Sequence, residues 1–344
     1  MMRALDIKLT ARNTGQIDRA LESASRSVES LCHRVFYPEI DTRYFDWPDS
    51  QNGTSWRLWL DDSELLSLTS LSSGGVDIDL ADVLLEPNRS GPPYNRIELN
   101  TGTSAAFGGG SSRQRDVAAT GLWAGAPLAE TTVGALTAAV GTTTATTIAV
   151  NAAASALVGV GSVLRVDDER MLVTGRSMAD TGQNLGGSGL TIQPNNVTVP
   201  VTDGSAYAVD EILLIDSERM LIVDIAGNQL TVIRAWDGSI IAAHTAGTDI
   251  YAARTLTVQR GALGTTAATH ADATPVICWD PPGLVRDLVI ADAENRVLQE
   301  QAGYARTSKT STGAKSVSVE TLSLEALREQ TYTAHGRKAR TRGI

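Results

Sequence analysis

Cysteine is scarce: Cys32 and Cys278 are the only two in 344 residues. Two thiols so far apart make neither a disulfide framework nor a cysteine-rich zinc module. Aromatic residues amount to 5%, which favours many short strands and turns over one large aromatic core. Positive charge is in deficit, with 29 Lys and Arg against 39 Asp and Glu and a net charge of −10. A general nucleic-acid binder carries the opposite balance. Long apolar runs are missing too. The opening MMRALDIKLTARNTG has no continuous apolar stretch of the kind a secretory signal needs. The uncharged stretch Thr131 to Leu164 is broken by Gly, Asn, Ser and Thr, so no membrane span is expected. With 42% hydrophobic and 20% charged residues, the chain has the material for a packed core. Its length suggests two or three parts.

What is present divides the chain. Residues 14 to 33 read as a helix: Ile17, Leu21, Ala24, Val28 and Leu31 recur at three- and four-residue spacing, with Thr14 as the N-cap. From Thr42 to Trp123 the pattern changes to short strands, at 56–60, 65–71, 76–85 and 116–125, with a turn followed by a strand over 90–99 and a loop at 106–115. Residues 126–279 are rich in Ala, Thr, Gly and Val and contain internal repeats. Val166-Asp-Asp-Glu-Arg-Met-Leu-Val173 is matched 49 residues later by Ile215-Asp-Ser-Glu-Arg-Met-Leu-Ile222. Leu230-Thr-Val-Ile-Arg234, Gly238 and His244 are matched 26 residues later by Leu256-Thr-Val-Gln-Arg260, Gly264 and His270. Partial duplication therefore built this β module, with Met171 and Met220 expected to face its core. At Asp280-Pro-Pro-Gly a helix starts, marked by Leu284, Leu288, Ala291, Leu298 and Ala302. A polar linker, a strand at 316–322 and a short helix at 324–332 follow. The last residues are basic: from Gly303 onward there are eight Lys or Arg against three Glu.

Constellations that carry chemistry are sparse. The four histidines, His33, His244, His270 and His335, form no HExxH motif and no zinc spacing with cysteine. Cys32 beside His33 suggests a thiol nucleophile, but a buried helix end is the favoured reading. His244 and His270 sit at equivalent repeat positions. A repeated turn or cap role is preferred there to a metal site, because no carboxylate recurs beside both. Gly108-Gly-Gly110 lacks the Lys of a phosphate loop, and no GxSxG elbow exists. Asp77, Asp79 and Asp82 miss the calcium-loop pattern and read as a solvated strand and turn. Glu169 and Glu218 precede Arg-Met in strand context, each facing solvent or pairing with the neighbouring Arg. No catalytic residue, cofactor site or metal site is expected.

Taken in order, SVESLCHRVF, WRLWLDDSELLSLTSL, GPPYNRIEL, VAATGLWAG and DPPGLVRDLVIADA resemble the head–tail connector (adaptor) proteins of long-tailed bacteriophages, over roughly half the chain. The middle is similar to a β module common in phage structural proteins, on Ala145-Thr-Thr-Ile-Ala-Val150, the two ERML segments and Leu256 to His270. In the connector family the core is mostly helical and usually uninterrupted.

The resemblance implies an α+β fold. A helical connector core with short strands (1–125) would be interrupted by an all-β inserted domain (126–279) and completed by a core helix and C-terminal docking tail (280–344). It implies a non-enzymatic virion protein at the head–tail neck, made in the host bacterial cytoplasm. A dodecameric homo-oligomeric ring would dock the portal protein above and a stopper or tail-side neck protein below. Viral DNA would pass through the lumen without sequence recognition, past a wall of like charge, and no membrane would be involved. Portal docking is assigned to Leu324, Leu327, Tyr332, Arg337, Lys338, Arg340 and Arg342. The rival expectation is a tail or baseplate protein that uses the β module for host-surface binding. An enzyme such as a cell-wall hydrolase is the third.

Overall fold

The computed structural model describes residues 11–48, 54–301 and 323–337. The described residues form two compact units: Gly15–Ala129 with those that follow Asp280, and Glu130–Asp280. Strands make up 37% of the structure and helices 21%, so the expected helical connector core is overturned. The physical reason lies in the side-chain period. In the first unit residues 117–123 alternate between buried and half-buried positions, and that period places one face of a strand, not of a helix, in the core.

The first unit holds two antiparallel sheets. One runs β1 (Glu39–Phe45), β7 (Val117–Trp123), β3 (Leu65–Ser73), β4 (Val76–Ile78); the other runs β2 (Arg57–Trp59), β6 (Arg96–Leu99), β5 (Val83–Glu86). β7 buries Val117, Ala119, Gly121 and Trp123 and leaves the residues between them half-buried. Leu58, Leu60, Leu65, Leu71, Ile97 and Leu99 complete this core. Strand β1 escaped the sequence reading because Glu39, Asp41, Thr42 and Arg43 look like a polar linker after Pro38. It pairs with all seven residues of β7.

The helices of this unit are α1 (Ala11–Cys32), α3 (Gly283–Gln301) and α4 (Leu324–His335). Helix α1 starts before Thr14, which lies inside it and not at its cap. Its buried face is Ile17, Ala20, Ala24, Val28 and Cys32. On α3 the buried face is Val285, Leu288, Asp292, Ala293 and Val297, and Leu298 is exposed. Arg328 of α4 donates to Asp292 Oδ1 at 2.6 Å, and Thr331 donates to the Leu284 carbonyl, so α4 packs on α3. The expected strand at 316–322 lies outside the described residues.

The second unit is a duplication in which one copy is nested inside the other. Its first copy comprises β8 (Glu130–Ala135), β9 (Thr147–Ala149), a short helix α2 (Ala152–Leu157), β10 (Val163–Val166), the start of β11 (Glu169–Asn184), the end of β16 (Asp249–Gln259) and β17 (Pro275–Trp279). The second copy comprises the end of β11, β12 (Thr198–Pro200), β13 (Ile212–Ile215), β14 (Glu218–Ala226), β15 (Gln229–Ile233) and the start of β16.

Pairing is identical in the two copies. Val163↔Leu172 to Val166↔Glu169 corresponds to Ile212↔Leu221 to Ile215↔Glu218. Leu172↔Gln259 and Val173↔Val258, a bulge, then Gly175↔Thr257 corresponds to Leu221↔Ile233 and Ile222↔Val232, a bulge, then Asp224↔Thr231. In the second copy this hairpin closes from Ala226 to Gln229 through Gly227-Asn228. At the equivalent place in the first copy, between Ser177 and Thr255, the whole second copy is inserted. In each copy the strands close on themselves. A backbone bond from Thr137 N–H to the Ala149 carbonyl (3.0 Å) joins the segment after β8 to β9, and one from Gly186 N–H to the Pro200 carbonyl (2.8 Å) joins the segment after β11 to β12.

Two separate apolar cores result. Met171, Val173, Leu256 and Val258 belong to the first, and Met220, Ile222, Leu230 and Ile250 to the second, so both methionines are core residues. Because each core is complete within its copy, the first copy should fold without the second. Replacing residues 178–254 by Gly-Asn should leave a protein that still melts cooperatively in circular dichroism. A module that loses its cooperative transition would show that the two copies share one core.

Candidate functional site

Both duplicated motifs end in the same buried cluster. In each copy a two-residue turn follows β10 or β13, and its first residue, Asp167 or Asp216, takes a left-handed φ of 51°. Two positions later Glu169 or Glu218 starts the next strand with its carboxylate fully enclosed. The partner is not the adjacent Arg170 or Arg219. Arg260 grips Glu169 with Nε on Oε1 and Nη2 on Oε2, both at 2.7 Å. Arg234 grips Glu218 with the same atoms at the same distances. The backbone N–H groups of Gly261 and Ala268 donate to Glu169 at 2.8 and 3.0 Å, and those of Ala235 and Ala242 donate to Glu218 at 2.9 Å each.

Histidine completes each cluster. His270 Nε2 lies 2.8 Å from Glu169 Oε2 and its Nδ1 lies 2.7 Å from Asp167 Oδ2. His244 Nε2 lies 3.0 Å from Glu218 Oε2 and its Nδ1 lies 2.7 Å from Asp216 Oδ2. A carboxylate pair therefore does stand beside each histidine, contrary to the sequence reading. The reading of Glu169 and Glu218 as solvent-facing or paired with the next residue is likewise corrected. Each arginine also ties down a second loop: Arg234 Nη1 donates to the carbonyls of Thr191 and Asn196, and Arg260 Nη1 to those of Thr142 and Ala145. The residue after each arginine aims its N–H at the glutamate from a left-handed conformation. Gly261 does so at φ 59°, while Ala235 does so at φ 54°, where a Cβ is tolerated at a cost of about 1–2 kcal/mol.

Burial alone would raise the carboxyls of Glu169 and Glu218. Hydrogen bonds from the arginine, the two backbone N–H groups and the histidine outweigh it and hold both at about 2. A saturated, enclosed carboxylate has no access to substrate, so these clusters serve as clasps. Among the described residues no group of three or more His, Cys, Asp or Glu is arranged to hold a metal ion. Asp79 caps a 3₁₀ turn by accepting from Ala81 N–H.

The open chemistry lies in the first unit. A cleft of about 860 Å³ is walled by the end of α1 (Glu29, His33, Arg34), by Trp59 to Glu64 and by Trp123 to Gly125. Arg34 Nη2 pairs with Glu64 Oε1 at 2.9 Å, and its Nη1 donates to the Gly125 carbonyl. Arg43 lies over the Trp123 ring at 4.5 Å. Cys32 has no exposed surface, and burial raises its thiol, with Arg34 opposing, so it is no thiolate nucleophile beside His33.

Of the residues assigned to portal docking, Tyr332 and Arg337 reach this cleft. Arg337 donates from Nη1 to Asp62 Oδ1 at 2.5 Å and from Nη2 to the Asp62 carbonyl at 2.6 Å. Leu324 and Leu327 are half-buried on α4. Lys338, Arg340 and Arg342 lie outside the described residues. The cleft itself was not read from the sequence, because its walls come from segments as far apart as Glu29 and Arg337; only the chain order of those segments hinted at one unit.

Compared with family models, with curated proteins and with solved structures, the chain matches none.

Since Glu169 and Glu218 have carboxyls lowered from about 4.5 to about 2, they stabilise the fold above the unfolded value, and that contribution is lost as pH falls toward 2. Urea midpoints should therefore decline between pH 5 and pH 2. Glu218→Gln should remove most of the second copy's share of that decline and cost about 3–5 kcal/mol at pH 7, by leaving Arg234 and His244 without their common anion. A variant as stable as the parent would contradict the clasp.

Proposed function

We propose that this chain is a non-catalytic structural component of a bacteriophage virion, a connector protomer that assembles as a ring between portal and tail. One observation carries the reading. Three of the segments that bear the connector resemblance, SVESLCHRVF, WRLWLDDSELL and VAATGLWAG, come together in space as walls of a single cleft, joined there by Arg337. Residues brought together from 29 to 337 with aromatic walls and mixed charge make a surface suited to a protein partner. Helix and strand both border the cleft, so the ring contact rests on the end of α1, on Tyr332 of α4 and on strand ends and loops.

In this reading the portal protein docks through Tyr332 and the basic run that begins at Arg337. A stopper or tail-side protein binds on the opposite side of the ring, and DNA passes without base readout. The acidic balance of the chain, −10, supports passage over adhesion. Among the described residues no helix is long and apolar enough to cross a membrane.

A second reading, a tail or baseplate protein that binds a host surface through the β module, draws support from the duplication. Val223, Ile233 and Ile240 are 41%, 46% and 81% exposed in the second copy, where the first copy has Thr174, Gln259 and Thr266. The shared fold does not require apolar residues there.

Asp62→Arg repels Arg337 and should leave the free protomer folded while abolishing its retention on purified portal rings. Particle reconstruction should place the protein at the neck, and deletion of residues 178–254 should leave it there. Density at the baseplate, with host adsorption lost on that deletion, would replace the connector reading with the second one.

A further inference from the structure

Each clasp places a histidine ring between two carboxylates. Glu218 accepts from five donors: Arg234 Nε and Nη2, the N–H groups of Ala235 and Ala242, and His244 Nε2. An ionised carboxylate is acceptor-only, so His244 Nε2 must carry a proton. A neutral ring would then turn the bare lone pair of Nδ1 toward Asp216 Oδ2 at 2.7 Å, where two acceptors repel. A hydrogen bond at that distance requires one further proton between them. His270 repeats the geometry with Glu169 and Asp167, at 2.8 and 2.7 Å. We infer that each clasp is a proton-binding site, in which His244 and His270 are held doubly protonated between two carboxylates.

Charge balance agrees. The groups that face His244 are Asp216 from the β13–β14 turn, Glu218 from β14 and Arg234 from the end of β15. Leu190 meets it only through backbone bonds. Around His270 they are Asp167, Glu169 and Arg260, with Val140 meeting it through the backbone. Two carboxylates, one guanidinium and one imidazolium sum to zero; Asp216 and Asp167 are 56% and 59% exposed and share their charge with water, so the short contact at Nδ1 carries the argument. The low carboxyl values of Glu169 and Glu218 support their being the ionised members.

The functional consequence is a fold that tightens with acidity through the neutral range and loosens as base removes the two protons. Each loss leaves the loop 234–244 or 260–270 with a repulsive contact at its closing residue. A proton held more tightly in the folded than in the unfolded chain stabilises at low pH and ceases to do so as pH rises. The inference stands on the β module alone and is independent of the connector reading.

Nitrogen-15 spectra of the histidine rings in the full chain test it. At pH 7 both ring nitrogens of His244 and of His270 should be protonated. In Asp167→Asn/Asp216→Asn an amide N–H donates to a bare Nδ1, and both rings should become neutral with the proton on Nε2. Above neutral pH the parent's unfolding constant should rise by about tenfold per pH unit for each clasp, and the variant's should not. A parent spectrum with bare Nδ1 on both rings at pH 7 overturns the inference, including the case in which the aspartates hold the protons. If the variant fails to fold, the parent spectrum decides alone.

Discussion

A buried carboxylate held by an arginine fork, two backbone N–H groups and a histidine is the contact on which the β module depends. A glutamate at the start of a strand, with no exposed surface, is destabilising by itself. Its surroundings reverse that effect only when two loops bring their donors to it at once. Glu218 therefore fixes where residues 234–244 lie, and Arg234, through its third nitrogen, fixes residues 191–196. The apolar core of each copy supplies most of its stability, but an apolar core does not specify the path of long loops. The clasp does. This is why the two copies have drifted apart at surface positions such as Ile233 and Gln259 yet keep the same donors on the same oxygens.

Nesting follows from the same geometry. The clasp lies at the end of the hairpin opposite Gly227-Asn228, so an insertion at that turn leaves the clasp, the bulge and the core of the host copy in place. β11 and β16 then run on from one copy into the next without a break in pairing apart from bulges. A fold whose closing contact is far from its insertion point tolerates growth.

Much of this was legible in the residues. The repeats at offsets of 49 and 26 marked the duplicated strands, and their period put Met171 and Met220 inside. The order of the matches also encoded the nesting, since the two early segments and the two late segments appear as outer, inner, inner, outer along the chain. Glu169 and Glu218 were misread because each is followed by an arginine, and a neighbouring charge is the obvious partner in one dimension. In a strand, successive side chains point to opposite faces, so the adjacent arginine cannot reach. The arginine that does reach was itself part of the second repeat, 16 or 91 residues away, and His244 and His270 were conspicuous for the same reason. In the first unit the helical expectation came from a resemblance in motif order, and the period-two pattern of residues 117–123 already argued against it.

The central claim is that the clasps, and not the loops' own turns, order residues 234–244 and 260–270. Amide hydrogen exchange on the intact chain measures this directly. The N–H groups of Ala235, Ala242, Gly261 and Ala268 should exchange as slowly as the core strand amides of Met220 and Met171, although they lie in loops. Exchange of those four amides at the rate of exposed turns such as Gly227, while the strands remain protected, would contradict the account.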